Sequence, residues 1–206
     1  MSPLTENNKS DASSALKSAT DDLHRQVEES IDWRANLGDL RAYQQFLTKI
    51  CYFISPADRI IEEYFGVLES WVASRRTAAW AQSDLGELTA KYIGAAHIES
   101  CDDQPPADEL YRWVKGPADA AGILYVLEGS TMGSLFLCNL ACTNFDSSAD
   151  APVKFLSAYG KGTARRWQET KLWLDRFLTT EDEVATAVSA ARRMFQIYGG
   201  QLSSRA

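Results

Sequence analysis

The chain has 206 residues, 45% hydrophobic and 24% charged, with six Trp, eight Tyr and eight Phe. That is ample material for one core, and the length favours one large domain over two small ones. A formal charge of −7 without a basic stripe or tail argues against a nucleic-acid footprint. Cys51, Cys101, Cys138 and Cys142 form no CxxC pair and no Cys/His cluster of zinc-ligand spacing, a pattern that suits a reducing cytoplasm.

In chain order, residues 1–10 are polar, lack an apolar signal region and read as a disordered tail; 204–206 read as a second short tail. Ala12, Leu16, Ala19, Leu23 and Val27 form one stripe, which predicts an amphipathic helix over 11–30. Asp39 can cap a second helix carrying Tyr43, Phe46, Leu47 and Ile50. Pro56 is expected to interrupt it before Ile60, Ile61, Tyr64 and Phe65 resume the period. Asp84 is expected to start another helix that Gly94 ends. Gly116-Pro117 opens a long apolar helix, with Pro in the first turn where its missing N–H is harmless. A polar loop over 144–152 precedes helices around 152–159 and 163–178. Thr180 opens the last helix, expected to end near Gly199-Gly200. No strand alternation or repeat is evident. The prediction is an all-α, single-domain bundle of about eight helices over 11–203.

The long apolar helix carries the strongest signal. Gly129 and Gly133 lie four apart on one face, and each costs roughly 1 kcal/mol relative to Ala in a helix interior. Ser130 and Ser134 repeat the spacing one residue on. Something flat, or another backbone, must approach that face closely. Ala120–Cys142 also reads like a dimerising transmembrane helix, with a GxxxG pair and Glu128 as its single charge. Glu128 would then sit near the bilayer centre at a cost of several kcal/mol, and no basic cluster follows. A core helix is the expectation, with no membrane insertion.

Only two histidines are present. His97 sits in a polar, loop-like context with no recognisable partner and reads as a surface residue. His24 borders the apolar stripe, and Glu28 follows four residues later on the same face. That carboxylate can accept from the second imidazole nitrogen, which fixes the tautomer of a metal-ligating histidine. Lys17, two turns earlier on the same side, can meet a carboxylate about 10 Å from a metal held by His24. A solvated i,i+4 pair beside a surface lysine is the plainer reading. A histidine on an amphipathic helix can ligate a haem iron, and a glycine-bearing helix can lie against the opposite face of a flat macrocycle.

With these residues in view, the chain resembles the haem oxygenases, especially bacterial ones of the type found with bacteriophytochromes. Leu16-Lys17-Ser-Ala-Thr20 and Leu23-His24-Arg-Gln-Val-Glu28 resemble the family's proximal helix. Leu124-Tyr-Val-Leu-Glu-Gly-Ser-Thr-Met-Gly-Ser134 resembles its distal helix. Phe155-Leu-Ser-Ala-Tyr-Gly160, Trp167 and Ala191-Arg-Arg-Met-Phe195 resemble its later helices. The resemblance implies haem, as both cofactor and substrate, held between the two helices. It makes His24 the proximal iron ligand and Glu28 its partner. Lys17 becomes a propionate anchor, with Arg165 or Arg166 a second. Gly129, Ser130, Gly133 and Ser134 form the distal wall, and Phe195 lines the pocket. Mammalian members carry an aspartate directly after the first distal glycine; Ser130 stands there in this chain.

The activity so implied is O₂- and reductant-dependent cleavage of haem to biliverdin, carbon monoxide and ferrous iron in the cytoplasm. No nucleotide motif such as GxGxxG is present, so electrons come from an external ferredoxin or flavodoxin system. An acidic donor would need a basic patch, for which Arg165, Arg166, Lys171, Arg192 and Arg193 are the candidates. Three alternatives stand beside this reading. They are a non-catalytic haem carrier or sensor, a thiamin-degrading enzyme using Cys138 on the same scaffold, and an interaction protein whose GxxxG packs helix to helix.

Overall fold

A computed structural model describes residues 11–66, 69–73, 75, 77–93, 110–145 and 151–203. The expectations for the tails and for His97 and Gly94 lie outside these residues. Within them the chain is helical and contains no strand. The elements are α1 (Ala12–Ser30), α2 (Trp33–Asn36), α3 (Leu40–Phe65), α4 (Ser70–Ala73), α5 (Thr77–Leu88, continued by a π turn over Thr89–Ile93), α6 (Pro117–Asn144), α7 (Lys154–Ser157), α8 (Thr163–Phe177) and α9 (Glu181–Ser203).

Capping fixes several of the starts. Asp39 accepts from Ala42 N at 2.8 Å at the head of α3. At α6, Asp119 Oδ2 accepts from the backbone N–H of Lys115 and Gly116 at 2.9 and 3.1 Å, and Pro117 occupies the first turn. Thr180 Oγ1 accepts from Glu183 N at 3.2 Å, and Glu183 accepts from Thr180 N at 2.9 Å, a reciprocal pair that opens α9. The Asp11 side chain makes no capping bond on α1. Asp175 of α8 instead accepts from Ser13 N at 2.7 Å and Ser13 Oγ at 3.1 Å, so α1 is capped from across the molecule.

Four expected boundaries differ. Pro56 does not interrupt α3, which is one helix of 26 residues. Its lost hydrogen bond costs about 3 kcal/mol. Burial of Phe53, Ile54, Ile60 and Ile61 around it, each side chain contributing about 1.5–3 kcal/mol, outweighs that cost. Asp84 does not start a helix but lies inside α5, fully buried. Its Oδ2 accepts from Tyr43 Oη at 3.1 Å and Phe155 N at 2.9 Å, so it joins α3, α5 and α7. Burial pushes its carboxyl above the usual carboxylate range. The helix expected around 152–159 is a single turn. α9 runs through Gly199-Gly200 to Ser203 because Leu202 is buried and holds the last turn down.

α9 packs along both α1 and α6 and so sets the spacing between them. Gly122 makes the α6–α9 contact intimate. A Cβ there would stand 2.2 Å from the Ala187 carbonyl oxygen and 2.9 Å from Ala190 Cβ. Gly199 serves α1 in the same way, where a Cβ would stand 3.0 Å from Val27 Cγ2. By length and composition α6 could cross a membrane, yet 56% of its most apolar window is buried within the helical domain. Ala120–Glu128 is buried throughout, whereas Met132, Leu135 and Phe136 are exposed, Phe136 at 70%.

Candidate functional site

Where α6 leaves the core, a cavity of about 820 Å³ opens between α6 on one side and α1 and α9 on the other. That volume falls in the range of small-molecule and cofactor sites, roughly 300–1,000 Å³. From α1 it is lined by Lys17, Thr20, Asp21, His24 and Glu28; from α6 by Tyr125, Gly129, Ser130, Gly133 and Ser134; from α9 by Phe195 and Tyr198. The amphipathic period of α1 explains its contribution. Leu16, Leu23 and Val27 anchor the helix in the core, which turns positions 17, 20, 24 and 28 along the cavity edge.

His24 stands at that edge with its side chain half exposed, 51%. Its Nδ1 lies 3.5 Å from Glu28 Oε2, which leaves Nε2 as the nitrogen available to a ligand. Phe195 meets the imidazole edge to face at 5.8 Å and limits its rotation. Arg192 of α9 bonds the Ala19 carbonyl and chelates Asp22 at 2.9 and 3.1 Å, so α1 is held to α9 just before His24.

The facing wall is bare backbone at two positions, Gly129 and Gly133. A Cβ on Gly133 would meet nothing within 4 Å, so the missing side chain adds directly to the open space. A Cβ on Gly129 would touch the Trp167 ring at 3.4 Å. The hydroxyls here bond their own helix: Ser130 Oγ donates to the Leu127 carbonyl at 2.8 Å, Thr131 to that of Glu128 at 2.6 Å, and Ser134 to that of Thr131 at 2.5 Å. With its proton so used, each oxygen is set to accept a hydrogen bond from a water in the cavity rather than to donate one. The phenols of Tyr125 and Tyr198 are pushed up by burial and stay protonated.

The structure therefore brings Lys17, His24, Glu28, Gly129, Ser130, Gly133, Ser134 and Phe195 to one cavity. Arg166 is not among the lining residues. Its guanidinium lies over Trp71 at 4.7 Å and Tyr159 at 5.1 Å, and donates to the Trp71 carbonyl at 2.7 Å. Its Nε faces Glu128 Oε2 at 3.8 Å. The cause is the fully buried Glu128, which draws cations inward because a buried charge must be compensated. The basic patch expected for an electron donor is broken at Arg166 in this way, and at Arg192 by its chelation of Asp22. Sequence reasoning missed Trp80, Trp167 and Tyr198 as cavity walls, and placed Lys171 in the basic patch rather than at the cavity. Lys171 lines the cavity with its Nζ 5.8 Å from the Trp167 ring centroid. Its position one turn after Trp167 was the available signal.

Electrostatically, Lys17 and Lys171 give the cavity two cations, alongside the carboxylates of Asp21 and Glu28. An apolar, flat ligand bearing carboxylates fits this arrangement, with an imidazole on one face and a Cβ-free helix on the other. Cys138 is not among the cavity-lining residues and contacts Ser157 Oγ at 3.6 Å.

The family described as Heme oxygenase matches residues 10–203 of this chain. No curated protein matches it in sequence. Among solved structures, the chain is similar to the NO- and CO-bound heme oxygenase from Neisseria meningitidis. The identity is 21%, the TM-score 0.73, and the match covers 93% of this chain and 90% of that one. It is similar also to the heme oxygenase from Leptospira interrogans, at 15% identity and a TM-score of 0.77, covering 94% and 99%. At these identities the structural likeness establishes the fold, which is the expected all-α one.

Proposed function

The chain belongs to the haem oxygenase family, and from that premise we propose that it is a biliverdin-producing haem oxygenase of the bacterial type. It cleaves haem with O₂ and external electrons to biliverdin, carbon monoxide and ferrous iron. The supporting observation is the pairing of His24 with Gly133 across one cavity, an imidazole facing a wall that lacks Cβ atoms. Glycine in such a wall lets a planar macrocycle approach the helix backbone closely.

Haem supplies the redox chemistry when bound; the chain positions and excludes. His24 would offer Nε2 to the iron, while Glu28 Oε2, 3.5 Å from Nδ1, would fix the tautomer and orientation of the ring. Lys17 and Lys171 pair with the propionates, in place of the Lys17 and Arg165 or Arg166 set that the sequence suggested. Phe195 and Trp167 close the apolar sides against water. Gly129 and Gly133 would let the macrocycle come close to the α6 backbone, and Ser130 Oγ, its proton given to the Leu127 carbonyl, would be free to accept from a water beside it. Electrons arrive from a ferredoxin- or flavodoxin-type donor in the cytoplasm.

Hemin titration of the wild type and of His24→Ala tests this. The wild type should form a 1:1 complex with a histidine-type spectrum and turn green with reductant and O₂. The variant should lose that spectrum and the breakdown. An unchanged spectrum in His24→Ala sinks the assignment of the ligand. Haem that survives reductant and O₂ intact in the wild type would point to a carrier instead.

A further inference from the structure

Behind the glycine wall lies a charge cluster outside the cavity lining. Glu128, the residue before Gly129, is fully buried. Its Oε1 accepts from Arg75 Nε at 2.5 Å and from Tyr159 Oη at 3.0 Å. Its Oε2 accepts no hydrogen bond among the described residues and faces Arg166 Nε at 3.8 Å. Arg75, 4% exposed, also donates to Asp58 Oδ1 at 2.7 Å. Asp58 Oδ2 in turn accepts from Ala78 N at 2.9 Å and caps α5. Ala158, next to Tyr159, holds a positive φ of 43°, a conformation costly for a residue with a Cβ and sustained only by its surroundings. α3, the approach to α5, the turn at Tyr159 and α8 thus converge on one carboxylate of α6.

Two features tie this cluster to the cavity. Arg166 and Trp167 are neighbours on α8: the first faces Glu128, and the second packs on Gly129. They form adjacent rungs between α8 and α6 at the cavity edge. Beyond the second rung one face of α6 is open, with Met132, Leu135 and Phe136 exposed, before Ala141 is buried again. Nothing in the apolar first half of α6 requires a charge at position 128, and a buried ionic cluster is seldom the most stabilising filling for a core.

We propose that Glu128 is a positioning residue, with Tyr159 and Arg75 as its partners. The cluster holds the α6 backbone at a fixed height over the cavity and so sets the room left for a diatomic ligand beside Gly129 and Gly133. It acts through the backbone and touches neither haem nor O₂. The inference rests on the haem-degrading reading above.

The test uses hemin-loaded full-length protein as the carbon monoxide complex. Tyr159→Phe removes one hydrogen bond to Glu128 and keeps the ring over Arg166. Glu128→Gln removes the charge and keeps the shape. Both should shift or split the C–O stretching band. At saturating hemin, both should slow its breakdown, by about 10–100-fold in Glu128→Gln, as when a residue supporting a metal ligand is lost. Hemin affinity and the His24-type ferric spectrum should hold. Trp173→Phe, which disturbs the contact to Glu69 at 2.8 Å away from the cavity, controls for stability loss and should leave the C–O band in place. An unmoved band and unchanged breakdown in Tyr159→Phe overturn the inference even where Glu128→Gln does not fold. Failure of the wild type to bind hemin overturns the functional reading itself, and this inference with it.

Discussion

Replacing each α6 glycine by alanine should separate three roles that one residue type plays in a single helix. The intrinsic gain is the same everywhere, about 1 kcal/mol per Gly→Ala in a helix interior. At Gly133 nothing lies within 4 Å of the new methyl, so that gain is realised in full. For a chain of this size it amounts to a rise in Tm of about 2–4 °C. At Gly129 the methyl meets Trp167 at 3.4 Å, the tight edge of ordinary contact, so part of the gain should be offset and the rise should be smaller. At Gly122 it would meet the Ala187 carbonyl at 2.2 Å and Ala190 Cβ at 2.9 Å. Neither atom can rotate away, so α6 and α9 must part. Overpacking against two atoms that cannot move costs about 3 kcal/mol, the upper part of the usual range, which leaves a net loss of about 2 kcal/mol and a fall in Tm of about 4–8 °C. Thermal unfolding of the apo proteins by circular dichroism reads the order Gly133→Ala above Gly129→Ala above Gly122→Ala. Hemin titration of the same samples reads a second axis, on which the more stable Gly133→Ala should bind more weakly because its methyl enters the cavity. A Gly133→Ala protein that melts below the wild type, or that binds hemin as tightly, refutes the assignment of this face as a cradle.

Two further substitutions test the frame around the site. Ala158→Gly relieves the positive φ and should raise stability by about 1 kcal/mol after the entropy of the freer unfolded chain is charged against it; a loss in urea unfolding would show that the Ala158 methyl packs usefully. The buried Asp84 carboxyl has its pKa raised above its unfolded value near 4. Its ionised form is therefore a penalty on the fold, absent when both states are protonated and complete once pH exceeds the folded pKa. Relative to the wild type, Asp84→Asn should gain stability as pH rises from about 4 toward 7, and the opposite trend in denaturant midpoints would show that the hydrogen bonds from Tyr43 and Phe155 outweigh burial.

Much of the fold was legible because its signals were local. The stripe of α1, the Asp39 cap and the Gly116-Pro117 start each depend on residues within one or two turns. Pro56, Asp84 and Gly199-Gly200 were misread as punctuation because burial against distant helices overrode them, and distant partners leave no mark in a local window. The same division runs through the site. His24, Glu28 and Lys17 share one helix face, and Gly129 and Gly133 another, so each set could be found by spacing. Arg166 could not, since the residue it answers is 38 positions away (166 minus 128). A lone carboxylate in a long apolar helix was the clue that some cation had to come inward.

The place of α9 has a consequence for how the molecule comes into being. The wall that carries His24 is near the start of the chain and the wall that carries Gly133 is past its middle, while the helix that spaces them begins only at Glu181. Both walls leave the ribosome before their spacer does. Until α9 docks, with Gly122 admitting its backbone on one side and Arg192 gripping α1 on the other, the two walls are joined through the smaller contacts of α8, Asp175 to Ser13 and Trp167 to Gly129. The pocket is thus a late event in folding, closed by contacts of long sequence separation, and a nascent chain lacking α9 would present the apolar faces of α1 and α6 to solvent rather than to a ligand.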